Sequence, residues 1–314
     1  MKSYDRYFKD LRVGFFDIET TGLNRDKDHL ILSGLAVPDG DKLIAKQYLA
    51  ESISNEAEVL SQTLSDFKEL DFVVTYNGDS FDIPFLKTRC EKLGIPVTDE
   101  IPYNLDLYKV VKLSPLRGML PNLKQTTIEN YLGLWKSRTD EITGKESISL
   151  YYSYASSGDE AARDKVLLHN HDDICQLSRL LPVLQRTDLD KALFTLGFPA
   201  GNDTINDIKL KHNRIDCLGL QGGDRVEYRL YDDFNSGTYM EADADKGTFR
   251  MQVPVISEEK FTVADLRSLG IDSSIFPETT DDFLILKENG RLRYDNINGL
   301  LAAMLDILMN KART

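Results

Sequence analysis

The sequence predicts an α/β domain, with a mixed sheet flanked by helices, followed by a small β-rich domain with a C-terminal helix. Two observations along the chain indicate this arrangement. Up to residue 190, short apolar runs and segments of helical spacing follow one another, which is typical of α/β domains. Beyond residue 200 the segments become short and strand-like. The length of 314 residues also fits two domains.

In the first domain, apolar runs and turn residues locate the elements. The turn residues 38–41 join two strands into a hairpin, and the apolar residues that follow Glu56 have helical spacing. Strands are predicted over residues 11–17, 30–37, 42–49 and 71–76. Helices are predicted over residues 56–70, 80–94, 106–112, 123–132 and 161–181. The polar stretch 135–149 predicts a loop.

The boundary between the domains is predicted at residues 197–202, where glycine, proline and asparagine are concentrated. This gives domains over residues 1–196 and 200–314. In the second domain, Asn289 and Gly290 form a strong hairpin signal, and residues 296–311 have the pattern of an apolar helix. Strands are predicted over residues 205–210, 214–220, 225–231 and 248–255. Nothing in this region indicates its role.

Composition limits the classes of protein to consider. Hydrophobic residues make up 41% and charged residues 28% of the chain, which is ordinary for folded domains. No apolar run approaches the ~18 residues of a membrane span, and the polar N-terminal segment lacks a signal-peptide pattern. The three cysteines form no CxxC pair, which argues against disulfides and a zinc site. We therefore expect a cytoplasmic protein that does not bind membranes and, without a dimerisation heptad, a monomer.

The net charge of −13 argues against a protein that binds nucleic acid through charge alone, because phosphate contacts need clustered Lys and Arg. Basic side chains do cluster in the predicted helical region. They are Lys109, Lys112, Arg117, Lys124, Lys136 and Arg138. This cluster fits either contacts to the phosphates of a nucleic-acid strand or a solvated basic face.

Asp17 and Glu19 stand at the end of the first predicted strand. Strand residues two apart face the same way, so the two carboxylates project together. Adjacent carboxylates repel each other unless a cation lies between them. The pair therefore fits a metal site, although a solvated strand end has the same pattern.

Asp82 follows the strand 71–76 and a tight turn, in the segment TYNGDSFDIP. It is a second candidate ligand, and an acidic residue in a first helical turn also has a plain role beside the helix dipole.

His169 and Asp173 lie in the predicted helix 161–181. At 3.6 residues per turn they share one face, whereas His171 lies on roughly the opposite face. A pair at this spacing is compatible with a catalytic site or with a surface ion pair.

The order of these features resembles the DEDD superfamily of 3′–5′ exonucleases, which has the ribonuclease H-like fold. FDIETTGL is similar to the first exonuclease motif, HNHDDICQL to the third, and TYNGDSFDIPFL to the second in the form seen in proofreading domains of family B DNA polymerases. The segments LDLYKVV, LKQTTIENYLGLWKSRTDEITGKE and YYSYASSGD narrow the resemblance to the YprB-type ribonuclease H-like domain. The resemblance covers about residues 10–190 and implies a metal-dependent 3′–5′ exonuclease.

One position departs from the standard branches of this superfamily. The DEDDy branch has Tyr four residues before the last Asp, and the DEDDh branch has His five residues before it. Here His169 is four residues before Asp173, and Leu168 is five residues before it. This agrees with the HN-x-x-D form of the YprB type. We expect His169 to be the general base, with His171 as the competing assignment.

The resemblance implies two divalent cations, Mg²⁺ or Mn²⁺, which prefer hard oxygen ligands. Asp17 would bridge both ions, and Glu19 and Asp173 would hold the ion that activates water. Asp82 would act on the second ion. These four acids with His169 are the expected catalytic residues.

The resemblance also implies a substrate with a 3′ end, either DNA or RNA. Thr20, Thr21, Gly22 and Leu23 would line the pocket for the terminal nucleotide. Asn77 is a further candidate, because it would order the turn that presents Asp82, although an ordinary turn also favours Asn. For Asp106, which begins an apolar stretch, we expect a structural helix cap.

Two other functions fit the same residues. One is a catalytically inactive protein that binds nucleic acid or acts as a scaffold on this fold, since fold alone does not give function. That reading is weakened because none of the four acids is missing. The other is an endonuclease of the ribonuclease H type, against which the helical His–Asp pair argues.

Overall fold

The central strand of the first sheet, β1 (Val13–Thr20), is bordered by an antiparallel strand on one side and a parallel strand on the other. The computed structural model describes residues 2–97, 101–134, 142–232 and 237–313. The strands of this sheet are β1 (Val13–Thr20), β2 (Leu30–Asp39), β3 (Lys42–Leu49), β4 (Phe72–Thr75) and β5 (Tyr103–Asp106). Their order is β3-β2-β1-β4-β5, with β2 and β3 antiparallel and β4 and β5 parallel to their neighbours. The predicted mixed sheet is confirmed.

Seven helices belong to the same part of the described chain. They are α2 (Glu56–Phe67), α3 (Asp82–Lys92), α4 (Leu107–Lys112), α5 (Leu116–Met119), α6 (Gln125–Leu132), α7 (Gly144–Ser157) and α8 (Glu160–Leu180). Short 3₁₀ helices lie at Ile53–Asn55 and Leu181–Arg186. An apolar core lies between the sheet and α2 and α3, and it includes Phe16, Leu60 and Phe85.

Helix α8 packs against β1, β2 and β3. A glycine makes this close approach possible, because a Cβ on Gly34 of β2 would lie 2.0 Å from Oδ1 of Asn170. The packing brings the middle of α8 against the strand that carries Asp17 and Glu19.

Residues 10–187 form one compact unit, and residues 1–9 with 188–314 form another. The division near residues 197–202, between the domains 1–196 and 200–314, stays a prediction.

The second unit is built on two sheets and three helices among the described residues. Its helices are α1 (Lys2–Phe8), α9 (Leu189–Leu196) and α10 (Tyr294–Arg313). The first sheet has the order β6-β7-β8-β11-β10-β9 and the second has the order β12-β13-β15-β14, with β16 paired to β15. The strands are β6 (Phe198–Ala200), β7 (Asp203–Leu210), β8 (Arg214–Leu220), β9 (Tyr228–Asp232), β10 (Thr238–Asp243), β11 (Thr248–Pro254), β12 (Ile256–Ser257), β13 (Phe261–Asp265), β14 (Thr279–Thr280), β15 (Phe283–Glu288) and β16 (Arg291–Leu292). The predicted β-rich region with a C-terminal helix is confirmed.

The predicted loop over residues 135–149 is wrong from residue 144 onward, where α7 begins. Thr143 caps this helix by accepting a hydrogen bond from the Glu146 N–H, and the Glu146 carboxylate accepts one from the Thr143 N–H. The sequence contains this reciprocal capping pattern, but the polar composition of residues 135–149 favoured the prediction of a loop. Residues 135–141, which include Lys136 and Arg138, lie outside the described residues.

Within the described ranges, none of the helices combines the length and the apolar character that a membrane span requires.

Candidate active site

The end of β1 carries the first two predicted site residues. Glu19 is buried, with 7% of its surface exposed, and Asp17 is partly buried. The pairing of β1 with β2 is irregular between Glu19 and Thr20, and such irregularities often redirect side chains beside functional sites. Asn170 of α8 donates a hydrogen bond from Nδ2 to Oδ2 of Asp17 at 3.0 Å. One carboxylate is therefore oriented by the helix that crosses the sheet.

Asp82 is the first residue of α3 and lies against the same strand. Its Oδ1 accepts a hydrogen bond from the Ile18 N–H at 3.1 Å, between the two acidic residues of β1. Asp82 is 4% exposed. The contact brings the second predicted motif to the first, although 64 residues separate Ile18 from Asp82.

Helix α8 contributes His169 and Asp173. His169 Nε2 lies 3.6 Å from Oε1 of Glu19 and 3.7 Å from Oδ2 of Asp173. One ligand atom from each of these three residues lies within 4.8 Å of the others, a spacing that can hold a metal ion. Thus the structure brings together side chains from β1, α3 and α8, which we name the acidic cluster: Asp17, Glu19, Asp82, Asp173 and His169.

The pKa values of Asp17, Glu19 and Asp82 are raised because buried carboxylates lose solvent and repel one another. Burial, followed by the charges of Asp82, Asp173 and Glu19, raises the pKa of Asp17 well above its usual value. Burial also raises the pKa of Glu19 to about 7, although the nearby His169 lowers it in part. For Asp82, burial raises the pKa to about 7 against hydrogen bonds from backbone N–H groups.

A divalent cation would relieve this repulsion. Four carboxylates and one imidazole form a donor set that is mainly oxygen, which suits Mg²⁺ or Mn²⁺. The residues present therefore fit the predicted metal site, and a bound cation would favour the ionised carboxylates.

His171 lies elsewhere on α8. Its side chain is 46% exposed, and its Nδ1 lies 3.8 Å from Oδ1 of Asp172. Its Nε2 is 3.7 Å from Sγ of Cys175. These contacts give it surroundings different from those of His169.

Of the predicted pocket residues Thr20–Leu23, Thr20 is the last residue of β1 and the other three begin the loop that follows. Thr20 Oγ1 donates to the Gly22 carbonyl at 2.7 Å, and Thr21 Oγ1 accepts from the His29 N–H at 2.9 Å. A Cβ on Gly22 would lie 2.4 Å from the Asp28 carboxylate, so only glycine fits without a shift. Leu23 projects outward and is 86% exposed.

A buried ion pair supports this loop. Glu56 of α2 accepts two hydrogen bonds from Arg89 of α3, both at 2.7 Å. It also lies 2.8 Å from Nδ1 of His29 and accepts from the Leu30 N–H at 2.8 Å. The Glu56–Arg89 ion pair therefore holds the end of the loop, at His29, where the chain enters β2 at Leu30.

Asn77 lies in the turn before Asp82 and has a positive φ of 68°. Its N–H donates to Oδ1 of Asp106 at 2.8 Å. Asp106 also caps α4, where it accepts from the Tyr108 and Lys109 N–H groups at 3.0 and 3.3 Å. The structure thus gives Asp106 the expected cap and, in addition, a direct hold on the turn.

Sequence reasoning missed two supporting residues, Asn170 and Ser147, and the second role of Asp106. Asn170 orients Asp17, Asp106 holds the turn, and Ser147 of α7 lies close enough to Glu19 to lower its pKa. Ser147 is fully buried, and its Oγ lies outside hydrogen-bond geometry with any described group. The capping pattern at Thr143 could have revealed the helix that carries Ser147, but no sequence signal paired these residues with the acids.

A model of the RNase_H superfamily matches residues 14–185. The chain belongs to this superfamily. The match includes the whole acidic cluster and confirms the predicted ribonuclease H-like fold. Membership of the RNase_H superfamily supports a nuclease-type enzyme.

Individual relatives resemble parts of this RNase_H superfamily member. A DNA polymerase of Pyrococcus glycovorans is 38% identical over 96 residues, which are 28% of this chain and 12% of that polymerase. The uncharacterised protein YprB of Bacillus subtilis is 29% identical over 170 residues, covering 53% of this chain and 40% of YprB. The predicted resemblance to the YprB type is confirmed. The chain thus matches less than half the length of either relative.

Among solved structures, the family B DNA polymerase of Pyrobaculum calidifontis is similar with a TM-score of 0.44 and 22% identity. The similarity covers 55% of this chain and 24% of that chain.

Proposed function

We propose that this protein is a metal-dependent 3′–5′ exonuclease that hydrolyses phosphodiester bonds of DNA or RNA. The observation that carries the proposal is the convergence of four acids and His169 from three separate segments of the chain. Strongly raised pKa values, such as those of Asp17, Glu19 and Asp82, are typical of the acidic residues of functional sites. Membership of the RNase_H superfamily supports a nuclease with this chemistry.

Asp17, Glu19, Asp82 and Asp173 would hold two Mg²⁺ or Mn²⁺ ions. Such ions, when bound, polarise the phosphate and make water a stronger nucleophile. Asn170 keeps the Asp17 carboxylate in place through its hydrogen bond at 3.0 Å. Gly34 lets α8, and therefore Asp173, approach the sheet.

His169 would serve as the general base. Its Nε2 faces two carboxylates of the cluster, at 3.6 and 3.7 Å, so it could take a proton from an attacking water molecule at that nitrogen. His171 is the weaker assignment because its ring lies beside Asp172 and Cys175.

The segment Thr20–Leu23, which includes the end of β1 and the start of the next loop, would receive the 3′-terminal nucleotide. The Leu23 side chain is exposed beyond the end of β1 and offers an apolar surface to a base. Thr20 and Thr21 use their hydroxyls within the loop, which supports a role in shaping the pocket. The ligand would thus be a nucleic acid with a free 3′ end. The cytoplasmic location and the monomeric state stay predictions.

The deciding experiment compares wild type and Asp17→Asn on 5′-labelled DNA and RNA strands in Mg²⁺ or Mn²⁺. We expect single-nucleotide shortening by the wild type, no shortening of strands with a blocked 3′ end, and no hydrolysis by Asp17→Asn. Circular dichroism would check that the variant folds. Cleavage of the 3′-blocked strand at internal positions would favour the endonuclease instead. Undiminished activity in the variant would contradict both nuclease assignments.

A further inference from the structure

A groove of about 480 Å³ lies beside the turn that presents Asp82. We name it the tyrosine groove, and it is lined by Tyr76, Asn77, Tyr108, Leu123, Lys124 and Gln125. Its volume falls within the range of roughly 300–1,000 Å³ that is usual for small-ligand sites. Neither tyrosine is fully buried, so both contribute surface to the groove.

The two tyrosine rings are held in place. Their centroids lie 6.0 Å apart and their planes meet at 65°. The Tyr76 hydroxyl donates to the Leu123 carbonyl at 2.7 Å. Lys112 Nζ lies 5.6 Å from the centroid of the Tyr108 ring. Ordered aromatic rings with a cation beside them are what single-strand binding sites use to stack bases and contact phosphates.

The tyrosine groove is connected to the acidic cluster through one carboxylate. Asp106 accepts hydrogen bonds from the N–H groups of Asn77 and Tyr108, at 2.8 and 3.0 Å. Its charge also contributes to the raised pKa of Asp82. The same side chain therefore fixes the turn that carries an acid of the cluster and the helix that carries a ring of the groove.

Local charge complements a phosphate chain. The 22 residues between Asp106 and Glu129 include four basic residues and no acidic one, although the net charge of the chain is −13. Lys109 is paired with Asp79 at 2.8 Å, whereas the side chains of Lys112 and Lys124 are exposed. This segment is thus a basic strip next to an acidic cluster.

We propose that the tyrosine groove binds an unpaired nucleotide upstream of the 3′ end. Its base lies against the tyrosine rings, and its phosphate lies beside Lys112 and Lys124. The inference rests on the proposed function for the identity of the ligand as nucleic acid, and it narrows the substrate to a single-stranded 3′ end. Bases within a duplex are stacked on their neighbours, so their faces are covered and cannot reach the rings.

The test measures binding without catalysis. Fluorescence anisotropy in EDTA would follow 5′-fluorescein 12-mers of single-stranded DNA, single-stranded RNA and a blunt DNA duplex. We expect Tyr108→Leu to weaken single-strand binding roughly 5- to 150-fold, the range of one lost stacking contact. Tyr108→Phe, which keeps the ring, should bind like the wild type.

The matched control removes a ring elsewhere. Tyr231 and Tyr239 form a comparable pair in the other unit, with centroids 5.8 Å apart and planes at 81°. Tyr231 is 68% exposed, so Tyr231→Leu should fold and should leave single-strand affinity unchanged. A Tyr108→Leu variant with wild-type affinity would overturn the proposal, as would a duplex that binds as tightly as the single strand.

A second variant removes charge without touching a packed ring. Replacing Lys112 and Lys124 by Gln should reduce the slope of log affinity against log salt by roughly 0.7, the value for one phosphate contact. This result decides the matter if Tyr108→Leu does not fold, and an unchanged slope overturns the proposal. If the wild type hydrolyses single strands and these variants bind them as tightly as the wild type does, the groove proposal is wrong and the exonuclease proposal stands. If the wild type binds single strands through the groove but does not hydrolyse them, the exonuclease proposal is wrong and the groove proposal stands.

Discussion

Glu19 and Glu56 are buried glutamates of the same compact unit, yet their pKa values move in opposite directions. Glu19 is surrounded by carboxylates and His169, and burial raises its pKa to about 7. For Glu56, burial alone would raise the pKa, but the hydrogen bonds from Arg89, Leu30 and His29 outweigh it and the pKa is lowered. One acid has its permanent counter-charge within the protein, and the other lies among further acids.

The difference indicates what each site is built to do. Arg89 meets Glu56 with two parallel hydrogen bonds at 2.7 Å, so this ion pair is complete in the folded chain. The acidic cluster concentrates negative charge that a divalent cation can balance. We therefore expect substitutions in the cluster to affect chemistry more than stability, and substitutions in the ion pair to do the opposite.

The largest effect is expected for Asp82→Asn. The rate of hydrolysis should fall roughly a thousandfold or more, because a bound metal ion stabilises the transition state by several kcal/mol and Asp82 would be one of its ligands. Without metal at pH 8, the free energy of unfolding should stay equal or rise, since the variant no longer buries a repelled charge. Hydrolysis assays and urea unfolding measure the two quantities. Asp164→Asn, an exposed site on α8, is the control and should change neither. A cluster variant that is both active and unstable would break the comparison.

Arg89→Met should act on stability. Removing one partner of a buried ion pair typically costs about 3–5 kcal/mol, because the other charge is left unpaired. Urea unfolding of Arg89→Met and of Lys92→Met gives a matched test, since Lys92 is an exposed cation of the same helix and should cost less than about 1 kcal/mol. Adding Glu56→Leu to Arg89→Met should recover part of the loss. If Arg89→Met and Lys92→Met lost the same free energy of unfolding, the buried ion pair would contribute no more to stability than an exposed one.

The pH dependence of stability provides a third test. Glu19 and Asp82 have pKa values of about 7 in the folded chain, above those of the unfolded chain. Between about pH 4 and pH 7 the unfolded state holds fewer protons than the folded state, so metal-free stability should fall as the pH rises. Thermal unfolding at pH 5.5 and 8 would measure it. Mg²⁺ should stabilise the protein more at pH 8 than at pH 5.5, and equal stabilisation would argue against binding at these carboxylates.

The smallest effect is expected for Ser147→Ala. Ser147 is buried near Glu19 with its Oγ outside hydrogen-bond geometry, so losing the hydroxyl should leave stability within about 1 kcal/mol of wild type. The turnover rate should fall, by roughly tenfold at most, while KM stays unchanged, because the nearby Ser147 lowers the pKa of Glu19 and so favours its ionised form. Ser149→Ala, exposed on the same helix, is the control. A reduced stability without a change in turnover would assign Ser147 to packing alone.

The sequence predicted most strands and helices of residues 10–187, since each gives a local signal of apolar spacing and turn residues. It failed at α7, where polar composition hid the capping residues Thr143 and Glu146. It also missed β10 and most strands of the second sheet in the other unit, which are short or lie between polar residues.

Local sequence was enough to show which side chains share a face, because the repeat of a strand or a helix is a local property of the backbone. This places Asp17 beside Glu19 and His169 one turn from Asp173. The long-range contacts were visible only in the folded chain, where Asn170 reaches Asp17 across 153 residues and Arg89, rather than another cation, meets Glu56. Such pairs depend on how apolar faces pack α8 and α3 against the sheet, and that packing is set by the whole chain rather than by any local repeat.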